Sequence, residues 1–85
     1  MAYTIEFKPS AARDFSNLPK LIQKRLAPQI NALEADPHPQ GVVKLSGSKN
    51  LFRIRLGDYR IIYEIRDSVL VVTIVKIGHR REIYR

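Results

Sequence analysis

The chain reads first as a pattern of alternation. Residues 51–56 (Leu-Phe-Arg-Ile-Arg-Leu) and 59–64 (Tyr-Arg-Ile-Ile-Tyr-Glu) flank Gly57-Asp58, a two-residue hairpin turn in which glycine supplies the positive φ. Pairing Leu56 with Tyr59 sets the register: Arg55 faces Arg60, Ile54 faces Ile61, Arg53 faces Ile62 and Phe52 faces Tyr63. Because side chains alternate along a strand, Phe52, Ile54, Leu56, Tyr59, Ile61 and Tyr63 share one face, and Arg53, Arg55 and Arg60 share the other. Like charges directly opposite one another destabilise a sheet. Folding alone therefore gives no reason to place Arg55 across from Arg60, whereas an anion lying across the strands does.

Upstream, residues 3–8 alternate with Tyr3, Ile5 and Phe7 on one face, which predicts a first strand. Pro9-Ser10 stops it, with Ser10 as N-cap of a short helix carrying Ala11, Ala12, Phe15 and Leu18. Leu18-Pro19 breaks that helix and Pro19 opens the next, whose apolar stripe is Ile22, Leu26, Ile30 and Leu33. Pro28 inside the stripe predicts a kink or split near residues 25–27. Asp36-Pro-His-Pro39 ends the helical region and leaves His38 as an exposed loop residue. Residues 41–50 read as a loop or short extended piece. After the hairpin, Asp67-Ser68 turns the chain into residues 69–76, apolar on both faces and hence a strand in the middle of the sheet. Gly78 is expected to break it. The order β-α-α-β-β-β predicts a single α+β domain over residues 1–85. A helical hairpin packs on one face of a mainly antiparallel four-stranded sheet, and the arginines occupy the other.

Composition narrows the function. The 85-residue chain lacks cysteine, which removes disulfides and thiolate metal sites and suits a reducing cytosol. No signal peptide is visible, and the apolar run at 69–75 is far too short to cross a bilayer, so a soluble cytoplasmic protein with no membrane partner is expected. The net charge of +7 is uneven: residues 1–40 hold five Lys/Arg against four Asp/Glu, and residues 41–85 hold ten against four. A basic field concentrated in one half attracts nucleic acid, phosphates or acidic proteins, although charge alone is equally the mark of a solvated surface. Two distant histidines make no metal constellation, and neither a phosphate-binding glycine loop nor a serine-nucleophile elbow is present. No metal or cofactor is expected.

What remains is the arginine face and the closing segment. The last strand is expected to return toward the Leu51 side of the hairpin and bring His79, Arg80 and Tyr84 beside Arg53. Guanidinium forks match phosphate oxygens, and a tyrosine ring stacks on a base. Each residue alone is ordinary; the combination points to RNA or phosphate.

Three stretches together resemble the RelE-type toxins of the RelE/ParE superfamily: Leu45-Ser-Gly47, the hairpin of residues 51–64, and residues 72–84 (Val-Thr-Ile-Val-Lys-Ile-Gly-His-Arg-Arg-Glu-Ile-Tyr). The resemblance spans nearly the whole chain. It implies a toxin that enters the ribosomal A site and cuts translated mRNA. It also implies an antitoxin that neutralises the toxin and usually represses their operon with it, so that operator DNA is reached only through the antitoxin. Such a partner is expected to be acidic and partly disordered when free.

By position in the resemblance, Arg53 and Arg55 take the places of two basic catalytic residues that are often lysine in relatives. Arg60 matches the arginine after the hairpin turn, and Arg80 and Tyr84 match the closing motif. Lys44, Lys49, Arg81 and Arg85 are expected to contact RNA or the ribosome. The implied chemistry is attack of a ribose 2′-OH on the adjacent phosphate, for which arginines can supply charge stabilisation without a metal. Arginine stays protonated and is a poor base, so His79 is the candidate acid–base group, with a supporting role as the alternative. The chain ends at Arg85, so a switch that displaces an extra C-terminal helix is not expected. Two other readings stay open: a ParE-like module that poisons DNA gyrase, which usually lacks the closing arginine and tyrosine, and an inactive partner in an antitoxin–operator complex.

Overall fold

A computed structural model describes residues 2–79. In chain order these form β1 (Thr4–Phe7), α1 (Pro9–Ser16), α2 (Lys20–Asn31), a 3-10 turn (Ala32–Glu34), β2 (Val43–Lys44), β3 (Leu51–Leu56), β4 (Tyr59–Arg66) and β5 (Val71–His79). The sheet has five strands in the order β1-β5-β4-β3-β2. All neighbours are antiparallel except β1 and β5, which run parallel with Thr4 beside Val71 and Phe7 beside Ile74. The α+β architecture is the one expected, with one strand more: residues 43 and 44 of the extended piece pair with Arg53 and Phe52 and add β2 at the edge.

Several local expectations change. The N-cap of α1 is Lys8, with Pro9 in the first turn, where its missing N–H removes no helical hydrogen bond. Pro28 does not split α2, which runs unbroken from Lys20 to Asn31. Pro28 and Lys24 are both exposed, so the carbonyl of Lys24, deprived of its donor, can turn to water. Leu33, the last residue of the predicted stripe, sits on the 3-10 turn and is buried there. The last strand begins two residues later than predicted, because residues 67–70 form the turn and Leu70 takes a left-handed φ of 55°. Gly78 does not break β5, which continues to His79.

The core lies between the helices and one sheet face. Ala11 of α1, Leu26 and Ile30 of α2, and Leu33 meet Ile61, Tyr63 and Ile65 of β4 and Val72, Ile74 and Ile77 of β5, all nearly or fully buried. Burying each large aliphatic side chain contributes about 1.5–3 kcal/mol. Tyr63 is polar at its tip and fully buried, so it needs a partner. Its hydroxyl donates to the Pro37 carbonyl at 2.8 Å, pinning the loop that carries His38. His38 itself is exposed in that loop, as expected, with its ring edge-on to Phe52. Lys8 N–H donates to the Ile74 carbonyl at 2.9 Å and Tyr3 N–H to the Glu34 carbonyl at 2.7 Å, anchoring both ends of β1.

One irregularity decides which side chains reach which face. Across β4 and β5, Ile62 pairs with Lys76 but Tyr63 pairs with Ile74, so Val75 is an extra residue on β5, a β-bulge. Without it, Val72, Ile74 and Lys76 would share the helix side. With it, Val72, Ile74, Ile77 and His79 stand on the helix side, and Lys76 and Gly78 move to the other. Among the described residues no helix is long and apolar enough to cross a membrane.

Candidate functional site

The predicted hairpin forms with the predicted register, Leu56 opposite Tyr59 and Arg55 opposite Arg60. Gly57 has φ of +65° while Asp58 has no positive φ, the signature of a type II′ turn with glycine in first place. This turn holds the two strands so that Arg53, Arg55 and Arg60 share the helix-free face.

Adding β2 and β5 turns these residues into rows across the sheet. One row is Arg55, Arg60 and Gly78; the next is Val43, Arg53, Ile62 and Lys76; a third holds Leu51, Glu64, Thr73 and Glu6. The face is therefore cationic near the Gly57 turn and of mixed charge toward the opposite end, where Arg66 of the following row lies 4.0 Å from the Glu64 carboxylate. Arg55 is exposed, Arg53 half-buried, and Arg60 buried at 6% exposure. Gly78 follows Arg60 in its row and is itself buried; glycine within a strand often marks a close approach of other groups.

Lys76 is a cation of this face that the sequence pattern hides. Read with uninterrupted alternation, residue 76 belongs with Ile74 on the core side; only the bulge at Val75 turns it out. Nothing in an apolar run with both faces covered signals the extra residue.

The same bulge takes His79 away from the arginines. It pairs with Tyr59 on the helix side, with the two rings edge-on at 5.6 Å. The expectation that the strand returns toward Leu51 and sets His79 beside Arg53 is corrected: an antiparallel partner of β4 must end where β4 begins, at the Gly57 turn. Lys44 pairs with Phe52 and so has the register of the helix side, and Lys49 lies in the loop at the far end of β3. Neither joins the arginine rows. Arg80, Arg81, Tyr84 and Arg85 lie outside the described residues. No group of three or more metal-ligating side chains occurs among the described residues.

Residues 5–84 match the family model described as the ParE toxin of the parDE type II toxin–antitoxin system. The chain belongs to the RelE/ParE toxin superfamily. Among its RelE-type relatives, Toxin RelG of Mycobacterium tuberculosis is 33% identical, the alignment covering 100% of this chain and 99% of the relative. The mRNA interferase toxin RelE of Escherichia coli K12 is 26% identical over 99% of this chain and 92% of its own length. In structure, the toxin fold resembles a chain of the archaeal RelE–RelB complex from Pyrococcus horikoshii, with a TM-score of 0.82 and 33% identity, covering 94% of this chain and 97% of that one. The two helices packed on a mixed sheet are thus the RelE fold, and the chain is a RelE-family toxin of the type II toxin–antitoxin class.

Proposed function

We propose that this toxin is a ribosome-dependent mRNA endonuclease acting in the ribosomal A site, held inactive by an acidic antitoxin. The observation that carries the proposal is the row Arg55, Arg60 and Gly78: two directly opposed arginines, one exposed and one buried. Opposed like charges across a sheet cost stability, and an anion lying across them offsets that cost. The naming of the Escherichia coli relative as an mRNA interferase supports RNA as that anion.

In the proposed reaction the ribose 2′-oxygen attacks the adjacent phosphorus while its proton is lost. The bond from phosphorus to the 5′-oxygen breaks, and that oxygen takes up a proton. The products are a 2′,3′-cyclic phosphate and a 5′-hydroxyl. Arg55 and Arg60 stabilise the extra negative charge on the phosphorane-like transition state, and Arg53 and Lys76 hold the neighbouring backbone. Arg80 steadies the leaving oxygen, and Tyr84, its counterpart in the closing motif, donates or accepts a proton or stacks on a base. No proton step is assigned to His79, whose ring lies on the opposite face. The solved RelE–RelB complex of the archaeal relative supports an antitoxin partner, and the cationic end of this face is the surface an acidic chain would cover.

The test is primer extension on a defined mRNA with purified toxin, with and without programmed ribosomes. Cleavage at the A-site codon only when ribosomes are present is the expected result. Cleavage of naked RNA would make it a free ribonuclease on this scaffold. Intact RNA in both arms, with gyrase supercoiling inhibited, would instead establish the ParE-like activity.

A further inference from the structure

The helix side of the sheet carries a second, separate concavity at the same end of the molecule. A cavity of about 430 Å³ opens between the end of α1 and the ends of β4 and β5, lined by Asp14, Asn17, Leu18, Tyr59, Gly78 and His79 among others. Its chemistry is the reverse of the arginine face. Two aromatic rings, Tyr59 and His79, meet edge-on on one side. Asp14 stands on the other, half-buried in the last turn of α1. A carboxylate there opposes the helix dipole, whose negative end is at the C-terminus. Among the described residues it forms no ion pair or hydrogen bond. Neither fold stability nor charge pairing accounts for Asp14, in a protein of net charge +7 with many cations to offer.

We propose that this cavity is a nucleobase subsite, and that guanine is the base it fits. Aromatic faces bind any base by stacking. A carboxylate selects by edge. Guanine presents two adjacent N–H donors, at N1 and N2, which a carboxylate accepts together. Adenine and cytosine offer one amino group beside a ring nitrogen whose lone pair repels a carboxylate, and uracil offers one N–H between two carbonyls. The Asn17 amide, on the same wall, can complement either a carbonyl or a further N–H. The pocket is of ordinary size for a small-ligand site.

Its position ties it to RNA. Gly78 lines the cavity and is also the neighbour of Arg60 in the phosphate row, so the two sites flank one strand end. Adjacent strands lie about 5 Å apart, and a nucleic-acid backbone spans about 3.4 Å of helix axis per nucleotide and more when extended. A strand whose phosphate rests on Arg55 and Arg60 can therefore turn around the end of β5 and deliver a neighbouring base to the pocket. This assignment rests on the proposed RNA-cleaving function for its biological use, but its binding test does not.

The experiment is titration of isotopically labelled, full-length toxin with guanosine 3′-monophosphate and, separately, cytidine 3′-monophosphate, followed by amide chemical shifts. The expected result is saturable shifts at Asp14, Asn17, Tyr59 and His79, with guanosine bound about tenfold more tightly and that preference lost in Asp14→Asn. Equal affinity for the two nucleotides, or shifts confined to Arg53, Arg55 and Arg60, overturns the proposal. Wild-type protein alone decides the matter should the variant fail to fold. In cleavage, the ratio of cutting at guanine-containing over guanine-lacking sites should fall about tenfold in Asp14→Asn. Guanosine binding with no cleavage by the wild type would keep the pocket and refute the nuclease reading. Cleavage with no nucleotide preference would do the reverse.

Discussion

Replacing Arg55 with glutamine should move stability and activity in opposite directions. The side chain is exposed and directly opposite Arg60 on the adjacent strand. Two unit charges ~6 Å apart in water-like surroundings repel by about 0.7 kcal/mol, and cross-strand like-charge pairs cost on the order of 0.2–1 kcal/mol. Glutamine keeps most of the length and removes the charge, so the variant should be more stable by about 0.2–1 kcal/mol. For a small domain that loses about 1 kcal/mol of stability per molar urea, the midpoint rises by roughly 0.2–1 M. Cleavage should fall by about 10²–10³, the loss typical of one transition-state electrostatic donor. Urea unfolding at low and high salt and single-turnover cleavage on programmed ribosomes measure the two quantities. Added salt should shrink the stability gain, since an exposed guanidinium is readily screened. A variant that loses 1 kcal/mol or more of stability, or that cleaves within threefold of wild type, would show that Arg55 serves the fold rather than an anion.

Two further perturbations follow from the core. Tyr63→Phe removes the buried hydroxyl that donates to the Pro37 carbonyl and should cost about 1–2 kcal/mol in chemical unfolding. Burial, with the Asp36 carboxylate adding to it, pushes the Tyr63 phenol up to about 12 from its ordinary 10.0. The folded state thus holds this proton more tightly than the unfolded one. Its contribution is full below pH 10 and drains away as pH rises toward 12. Tyr63→Phe should flatten the alkaline arm of the stability curve in that window, and an unchanged arm would count against the assignment. Val75 is the extra residue, so deleting it closes the bulge while Ile77, now 3% exposed, stays on the helix side and Lys76 on the arginine face. The expected outcome is a deletion protein that still unfolds cooperatively on heating, whereas loss of cooperative unfolding would show that the bulge does more than set the faces.

The hairpin is legible in the sequence because two local signals agree. A glycine–aspartate turn sets the register, and strict alternation assigns the faces, so the opposed Arg55 and Arg60 follow from residue spacing alone. The helices are legible for the same reason, since Leu26 and Ile30 repeat at helical spacing and are buried. The last strand is different. From Val69 to Val75 six of seven residues are apolar, so alternation carries no phase and a bulge leaves no trace. Lys76 and His79 consequently exchange faces relative to any simple reading. The parallel pairing of β1 with β5 is equally silent, because strand partners distant in sequence leave no local mark. Asp14 is hidden for another reason: a single acid on a short helix is unremarkable until the fold sets it opposite two aromatic rings.

That parallel pairing also bears on when the toxin comes into being. β5 is the strand on which both halves of the sheet depend, bonded to β1 on one side and β4 on the other, and it occupies the final described stretch of the chain. Thr4 waits for Val71, 67 positions later, before its strand has a partner. A growing chain can shape its helices and hairpin early, but the sheet joins only once β5 has been made. Arg60 acquires its neighbour Gly78 in that same last step. The proposed anion-binding row is therefore assembled only after β5 has emerged, and chains that stop short of Gly78 carry the arginines without the site.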